Sequence, residues 1–121
     1  MSTIALDKNN FAGTVEDNDV VLMDFWAAWC GPCQRFGPIF EEASGRHDDV
    51  VFAKIDTEEN QELAAALEIQ SIPTLMGFRS GKLVFRQSGL LNGRQLDDLI
   101  SQIKALDIAA LEAEAEQSQQ G

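Results

Sequence analysis

The chain has 121 residues and a mass of 13.3 kDa, enough for one domain with a single core. Acidic residues outnumber basic ones 20 to 9, a formal net charge of −11, which argues against non-specific binding to nucleic acid or to an anionic membrane surface. Two cysteines three positions apart are too few for a disulfide framework that replaces a core.

In chain order, the first eleven residues lack a basic start, an apolar stretch and a small-residue cleavage site, so the expected compartment is the cytoplasm. No apolar run approaches the roughly 20 residues that span a bilayer. Asp7–Val15 reads as a short, weakly patterned helix. Val20–Trp26 (VVLMDFW) is apolar at all positions but one, as a strand buried on both faces requires. A helix is predicted over Gly31–Arg46, with Pro38 inside to kink it and Gly37 to ease the bend. Val50–Asp56 (VVFAKID) predicts a second buried strand, and Glu58–Leu67, rich in Glu, Gln, Ala and Leu, a helix. Thr74–Phe78 and Leu83–Gln87 predict strands joined by the turn Arg79-Ser80-Gly81-Lys82. A closing helix begins near Asn92, a suitable N-cap, and Leu96, Leu99, Ile100, Ile103, Leu106, Ala110 and Leu111 keep its period. Propensity continues that helix through Ala109–Glu116, and the composition of Glu112–Gly121 suggests fraying. A helix followed by β-α-β-α-β-β-α implies an α/β fold, a mixed central sheet with helices on both faces.

The chemistry lies in Trp29-Cys30-Gly31-Pro32-Cys33, after the first long strand and at the start of a helix. Two intervening residues let the sulfurs meet around one turn. Pro32 lacks an N–H that the first helical turn does not need. A Cys30 thiolate would face unsatisfied N–H groups and the positive end of the helix dipole, which favours the nucleophilic form. Cys33, a turn further in, is expected to be more buried and less reactive. Two alternatives compete with redox use. Half a zinc site would need about four ligands, and beyond the pair the chain offers no second cysteine pair and a single histidine, His47, read as a solvated loop residue. An inert bridge over so short a loop stabilises little.

Val21–Cys33 (VLMDFWAAWCGPC), Ala53-Lys54-Ile55-Asp56, Ser71-Ile72-Pro73-Thr74, Phe78–Leu83 (FRSGKL) and Gly89-Leu90 resemble, in order, the thioredoxin family. The likeness runs from about residue 4 to residue 105. Thioredoxins are themselves the usual example of a lowered thiol pKa and a reducing pair. The resemblance implies a thioredoxin fold and a protein-disulfide reductase, with Cys30 attacking a substrate disulfide and Cys33 resolving it. Gly31 and Pro32 would tune the pair.

Asp24 interrupts the apolar strand. An isolated buried carboxylate is expensive, so its pKa is expected to be raised; the alternative is a strand-edge Asp reaching solvent. The resemblance places Asp24 beneath Cys33 as a proton acceptor acting through water, and lets Lys54 modulate it; an ordinary strand Lys with its head in water is the other reading. Pro73 at a strand start suggests a trans bond from general frequencies, whereas the resemblance implies cis. It also implies that Trp29, Ile72, Pro73, Gly89 and Leu90 form the substrate-docking patch. Trp29 could instead pack in the core, for which Trp26 is the better candidate.

No cofactor is expected on the chain. The partners implied are protein disulfides and thioredoxin reductase, an NADPH-dependent flavoprotein, with no nucleic acid, membrane or metal, and the protein is expected to be a monomer. A binding subunit or holdase of the same fold is the alternative. Arg79, Lys82, Arg86 and Arg94 form a basic cluster, read as a solvated hairpin face or a dock for an acidic partner. Residues 1–106 are expected to form the domain. Residues 107–121, with four of the acids, form an extension that either frays or packs on another chain.

Overall fold

The computed structural model describes residues 2–120, with side chains through residue 114. Its elements are β1 (Ile4–Ala5), α1 (Phe11–Asp17), β2 (Val20–Trp26), α2 (Gly31–Arg46), β3 (Val51–Asp56), α3 (Gln61–Ala66), β4 (Thr74–Arg79), β5 (Lys82–Ser88), α4 (Gly93–Lys104) and α5 (Ile108–Gln120). The five strands lie in the order β1-β3-β2-β4-β5. β1, β3 and β2 are parallel, and β4 and β5 run antiparallel, so the mixed sheet is as expected.

Strand alternation divides the core into two layers. Val20 and Leu22 of β2, Phe52 of β3 and Leu75 of β4 pack with Phe36 and Phe40 of α2 and Leu96, Ile100 and Ile103 of α4. Val21, Met23, Phe25, Ala53, Ile55, Met76 and Phe78 pack on the other face with Val15 of α1, joined by Phe11 and Leu63. This explains why β2 reads as continuously apolar: both of its faces are covered. Gly77 packs closely against α4: an added Cβ would lie 2.8 Å from Ile103 Cδ1, so the end of that side chain would have to move.

The differences from expectation are local. β1 was not foreseen, because two residues cannot display a period; Ile4 and Ala5 are aligned by pairing with Ala53 and Lys54. α1 and α3 both start late because an Asx turn precedes each of them. Asp7 Oδ1 accepts the N–H groups of Asn9 and Asn10, and Asp56 Oδ1 those of Glu58 and Glu59, so turns precede both helices. The closing helix is two helices. Asn92 and Gln95 form a reciprocal capping box at the start of α4. At its end Arg79 Nη1 donates to the carbonyls of Ile103, Lys104 and Leu106 at 2.8, 2.8 and 3.2 Å. Asp107 then caps α5 through the Ala110 N–H. α5 continues to Gln120 where fraying was expected, consistent with its Ala, Glu and Gln content; Gly121 lies outside the described residues. Glu112 of α5 pairs with Lys82 at 3.5 Å.

Three of the four clustered bases are therefore engaged within the chain: Arg79 and Lys82 as above, and Arg86 through the carbonyls of Leu67 and Glu68. His47 is not free in solvent either. Its Nε2 lies 2.8 Å from Asp97 Oδ1, and its ring stacks on Phe52. Among the described residues no helix is long and apolar enough to cross a membrane.

Candidate active site

β2 delivers the chain to Ala27, and the Cys30 N–H donates to the Ala27 carbonyl at 3.2 Å to close the turn before α2. Cys30 is the N-cap of α2. Its backbone is extended, and its sulfur accepts the Cys33 N–H at 3.2 Å. Gly31 and Pro32 fill the first two helical positions, where a missing N–H costs nothing. Cys30 and Cys33 are bonded as a disulfide, with Cα atoms 5.2 Å apart. The sequence led us to expect Cys33 to be the more buried, but both residues are 4% exposed. The cause is the 72–73 loop, which covers Cys30: its sulfur lies 3.7 Å from the Ile72 carbonyl oxygen. The Ile72–Pro73 peptide is cis. The Gly89 N–H donates to the Pro73 carbonyl at 2.9 Å, which brings Gly89 to this loop with exposed Leu90 beside it in the chain.

Asp24 has the same parity on β2 as Val20 and Leu22, so its carboxyl faces the α2 layer. It is 1% exposed, and neither carboxyl oxygen has a hydrogen-bond partner among the described residues. Burial pushes its pKa up to about 6, and the positive charge of Lys54 opposes the rise. Lys54 is paired with Asp24 in the β2–β3 register and shares its face. Its Nζ lies 3.8 Å from Asp24 Oδ2 and 5.1 Å from the Trp26 ring centroid, with the side chain about a quarter exposed. Lys54 thus both faces the carboxyl and reaches solvent. An open groove of about 470 Å³ lies along this face, lined by Cys33, Gly37, Trp26 and Lys54 among others. Trp26 is half-buried there rather than deep in the core.

Trp29 is 70% exposed and does not pack in the core. Its indole Nε1 donates to Glu58 Oε1 at 2.6 Å, and the ring walls a second groove of about 280 Å³ with Thr57, Ile69, Gln70, Ser71 and Ile72. Sequence reasoning missed Glu58 and Thr57, since a contact across 29 residues leaves no local signal. It noticed Gly37 only as a bend. Lys54 Nζ lies 3.7 Å from where a Cβ on Gly37 would stand, so this glycine borders the groove to Cys33.

The thioredoxin family model matches residues 2–105. The chain belongs to the thioredoxin family. It is 51% identical over 120 residues to a Streptomyces coelicolor protein assigned to thioredoxin 2, spanning 98% of this chain and 90% of that one. It is 38% identical over 103 residues to thioredoxin of Alicyclobacillus acidocaldarius, spanning 84% and 98%. Among solved structures, a point mutant of thioredoxin from Halobacterium salinarum superposes with a TM-score of 0.79 at 37% identity, over 88% of this chain and 98% of that one. The fold is the α/β thioredoxin fold. The chain is accordingly a thiol–disulfide oxidoreductase that acts on protein disulfides, with Cys30–Cys33 as its redox-active pair.

Proposed function

We propose that this thioredoxin-family protein works as a monomeric cytoplasmic reductase with the labour divided between its two cysteines. The Cys30 thiolate attacks one sulfur of a substrate disulfide. The substrate S–S bond breaks, one substrate thiolate leaves and takes a proton, and a mixed disulfide forms. The Cys33 thiolate then attacks the Cys30 sulfur, the mixed disulfide breaks, and the second substrate thiol departs. Two electrons pass to the substrate, and the chain is left with the Cys30–Cys33 bond. Thioredoxin reductase, a flavoprotein drawing on NADPH, returns the two electrons.

The observation that carries the division is the placing of Cys30 as N-cap and Asp24 as an unpartnered carboxyl under the same helix. The Cys33 N–H already points at the Cys30 sulfur, and the dipole of a 16-residue helix adds to it, so negative charge is favoured on Cys30. Asp24 takes the Cys33 proton through water and so readies the second attack; Lys54 holds the carboxyl from rising further. Gly31 and Pro32 set the geometry of the turn. Trp29, Ile72, Pro73, Gly89 and Leu90 form the docking surface, and the Ile72 backbone pairs with an extended substrate segment.

Reduction of insulin by a small dithiol, followed as precipitation, tests this. The protein is expected to accelerate the reaction, Cys30→Ser to abolish the acceleration, and Cys33→Ser to accumulate a mixed disulfide visible by mass. No acceleration by the unaltered chain, or trapping by Cys30→Ser instead of Cys33→Ser, would overturn the assignment.

A further inference from the structure

The groove between Trp29 and Ile72 is lined by uncharged residues, but an exposed acidic stretch adjoins it at Trp29 and the redox chemistry does not use that charge. Apart from Trp29, the residues that line the groove come from the stretch between Lys54 and Arg79. That stretch holds five acids, Asp56, Glu58, Glu59, Glu62 and Glu68, and no Lys, Arg or His. Glu58 and Glu59 are exposed and follow Thr57 directly at the groove wall, and Glu58 is the residue bonded to the Trp29 indole. The nearby cations do not cancel this charge. Arg86 donates to the Leu67 and Glu68 carbonyls, Lys54 faces Asp24 on the α2 side, and Lys8, which lines the neighbouring hollow with Glu58 and Glu59, is outnumbered there by four acids, Asp7, Glu58, Glu59 and Glu62. α2 offers one cation close to its start, Arg35.

We propose that this wall selects its substrates: the preferred partners are protein disulfides flanked by Lys or Arg, whose cations meet Glu58 and Glu59 while the neighbouring apolar atoms lie against Trp29 and Ile72. The proposal rests on the reading of Cys30–Cys33 as a protein-disulfide reductase and names its substrate class. The tie between Glu58 and the indole makes one residue serve twice. Its carboxylate holds the indole that lines the groove and places a negative charge at the groove's edge. Attraction between exposed charges is modest at contact and also raises the encounter rate, so the preference amounts to about threefold to tenfold in kcat/KM per well-placed cation. It is screened by salt, since the Debye length falls from roughly 10 Å at 0.1 M to roughly 3 Å at 1 M.

The test uses two disulfide-bridged peptides of one sequence, differing only in Lys or Glu at the positions flanking a cysteine. At low ionic strength the Lys peptide is expected to be reduced with a kcat/KM about threefold to tenfold or more above that of the Glu peptide, and the ratio to approach one near 1 M salt. Glu58→Gln keeps an oxygen acceptor for the indole N–H but removes the charge, so it should shrink the ratio. Glu42→Gln, the same loss of charge on an exposed site further along α2, should leave it unchanged. Equal rates at low salt, preference for the Glu peptide, or an equal effect of the two substitutions would each overturn the proposal while leaving the reductase intact. Failure to reduce either peptide would overturn the reductase reading and this proposal with it.

Discussion

Two aspartates five residues apart stand in opposite chemical situations. Asp19, just before β2, is well exposed, and its Oδ1 receives the Ser80 hydroxyl at 2.7 Å and Arg79 Nε at 3.0 Å. Those hydrogen bonds hold its pKa below the ordinary value, with the Arg79 charge adding to them. Asp24, in the middle of β2, is sealed from solvent and has no hydrogen-bond donor, and burial drives its pKa up to about 6. One end of the strand supplies donors to a carboxylate that fastens the β4–β5 turn to the sheet. The middle of the strand leaves a buried carboxyl with no hydrogen-bond partner among the described residues. Position on the strand does not decide which is which. The residues that arrive from elsewhere do: Arg79 and Ser80 at Asp19, Lys54 at Asp24.

The largest way to break this contrast is Asp24→Asn. A folded pKa near 6 against an unfolded value near 3.8 means that the folded protein holds a proton more tightly. Its contribution is therefore fully present below about pH 3.8 and is lost as pH rises through 6. At pH 8 the ionised carboxylate costs about 3 kcal/mol relative to a neutral group of the same shape. Urea unfolding should show Asp24→Asn more stable by about that amount at pH 8, with the two proteins converging below pH 4. On the proposed role of Asp24 as acceptor of the Cys33 proton, the same substitution should slow release of substrate from the mixed disulfide by about tenfold or more. Equal stability at pH 8 would mean that Asp24 finds donors in solution.

Arg79→Ala tests the other end. Arg79 satisfies three carbonyls at the end of α4 and binds Asp19, so its loss should cost about 2 kcal/mol in unfolding by urea. Disulfide reduction should be unaffected, because none of these partners lies at Cys30 or Cys33. Lys in its place should restore little, having one point charge where the fork of Arg reaches several acceptors. Gly37→Ala is a smaller, sharper probe of the Asp24 end. It should stabilise α2 by up to about 1 kcal/mol. The new methyl would stand in contact distance of Lys54 Nζ and strip part of its hydration. A carboxyl titration followed by NMR should then place the Asp24 pKa below that of the unaltered chain, because the less hydrated ammonium acts on the carboxyl with less screening.

These tests also mark what the sequence could disclose. β2 and α2 were legible to the residue, because a seven-residue apolar run and a helix flanked by Cys-Gly-Pro-Cys carry their own signals. Asp24 was legible as an anomaly, since a lone carboxylate in an apolar strand has few innocent explanations. Its partnerless state was not, because that depends on what β3, β4 and α2 bring near it. Glu58 was invisible for the same reason: it reads as one acid among many until the fold carries it to Trp29. The break between α4 and α5 was hidden too. Ala105-Leu106-Asp107 suits a continuing helix, and only Arg79, from a hairpin more than twenty residues earlier, gives those carbonyls a better partner.

The smallest effect belongs to Asp19→Asn, and its value is its sign. Asn keeps an oxygen that Ser80 and Arg79 can still use, so only the charge is lost, from a side chain that is mostly in water. At pH 7 the cost should be within about 0.5 kcal/mol. A pKa lowered in the folded state gives stability that is present above the ordinary carboxylate value and disappears as pH falls through the lowered one. The Asp19→Asn difference should therefore be largest near neutrality and vanish in acid, with the unaltered chain the more stable. The Asp24→Asn difference is also largest near neutrality, but there the variant is the more stable. Unfolding curves of both single variants and the double variant from pH 3 to pH 8 would set the two against each other. The groups lie at different parts of the strand and share no partner, so their effects should add within about 0.5 kcal/mol. A departure larger than that would mean that the donors at Asp19 and the burial at Asp24 are not independent features of β2.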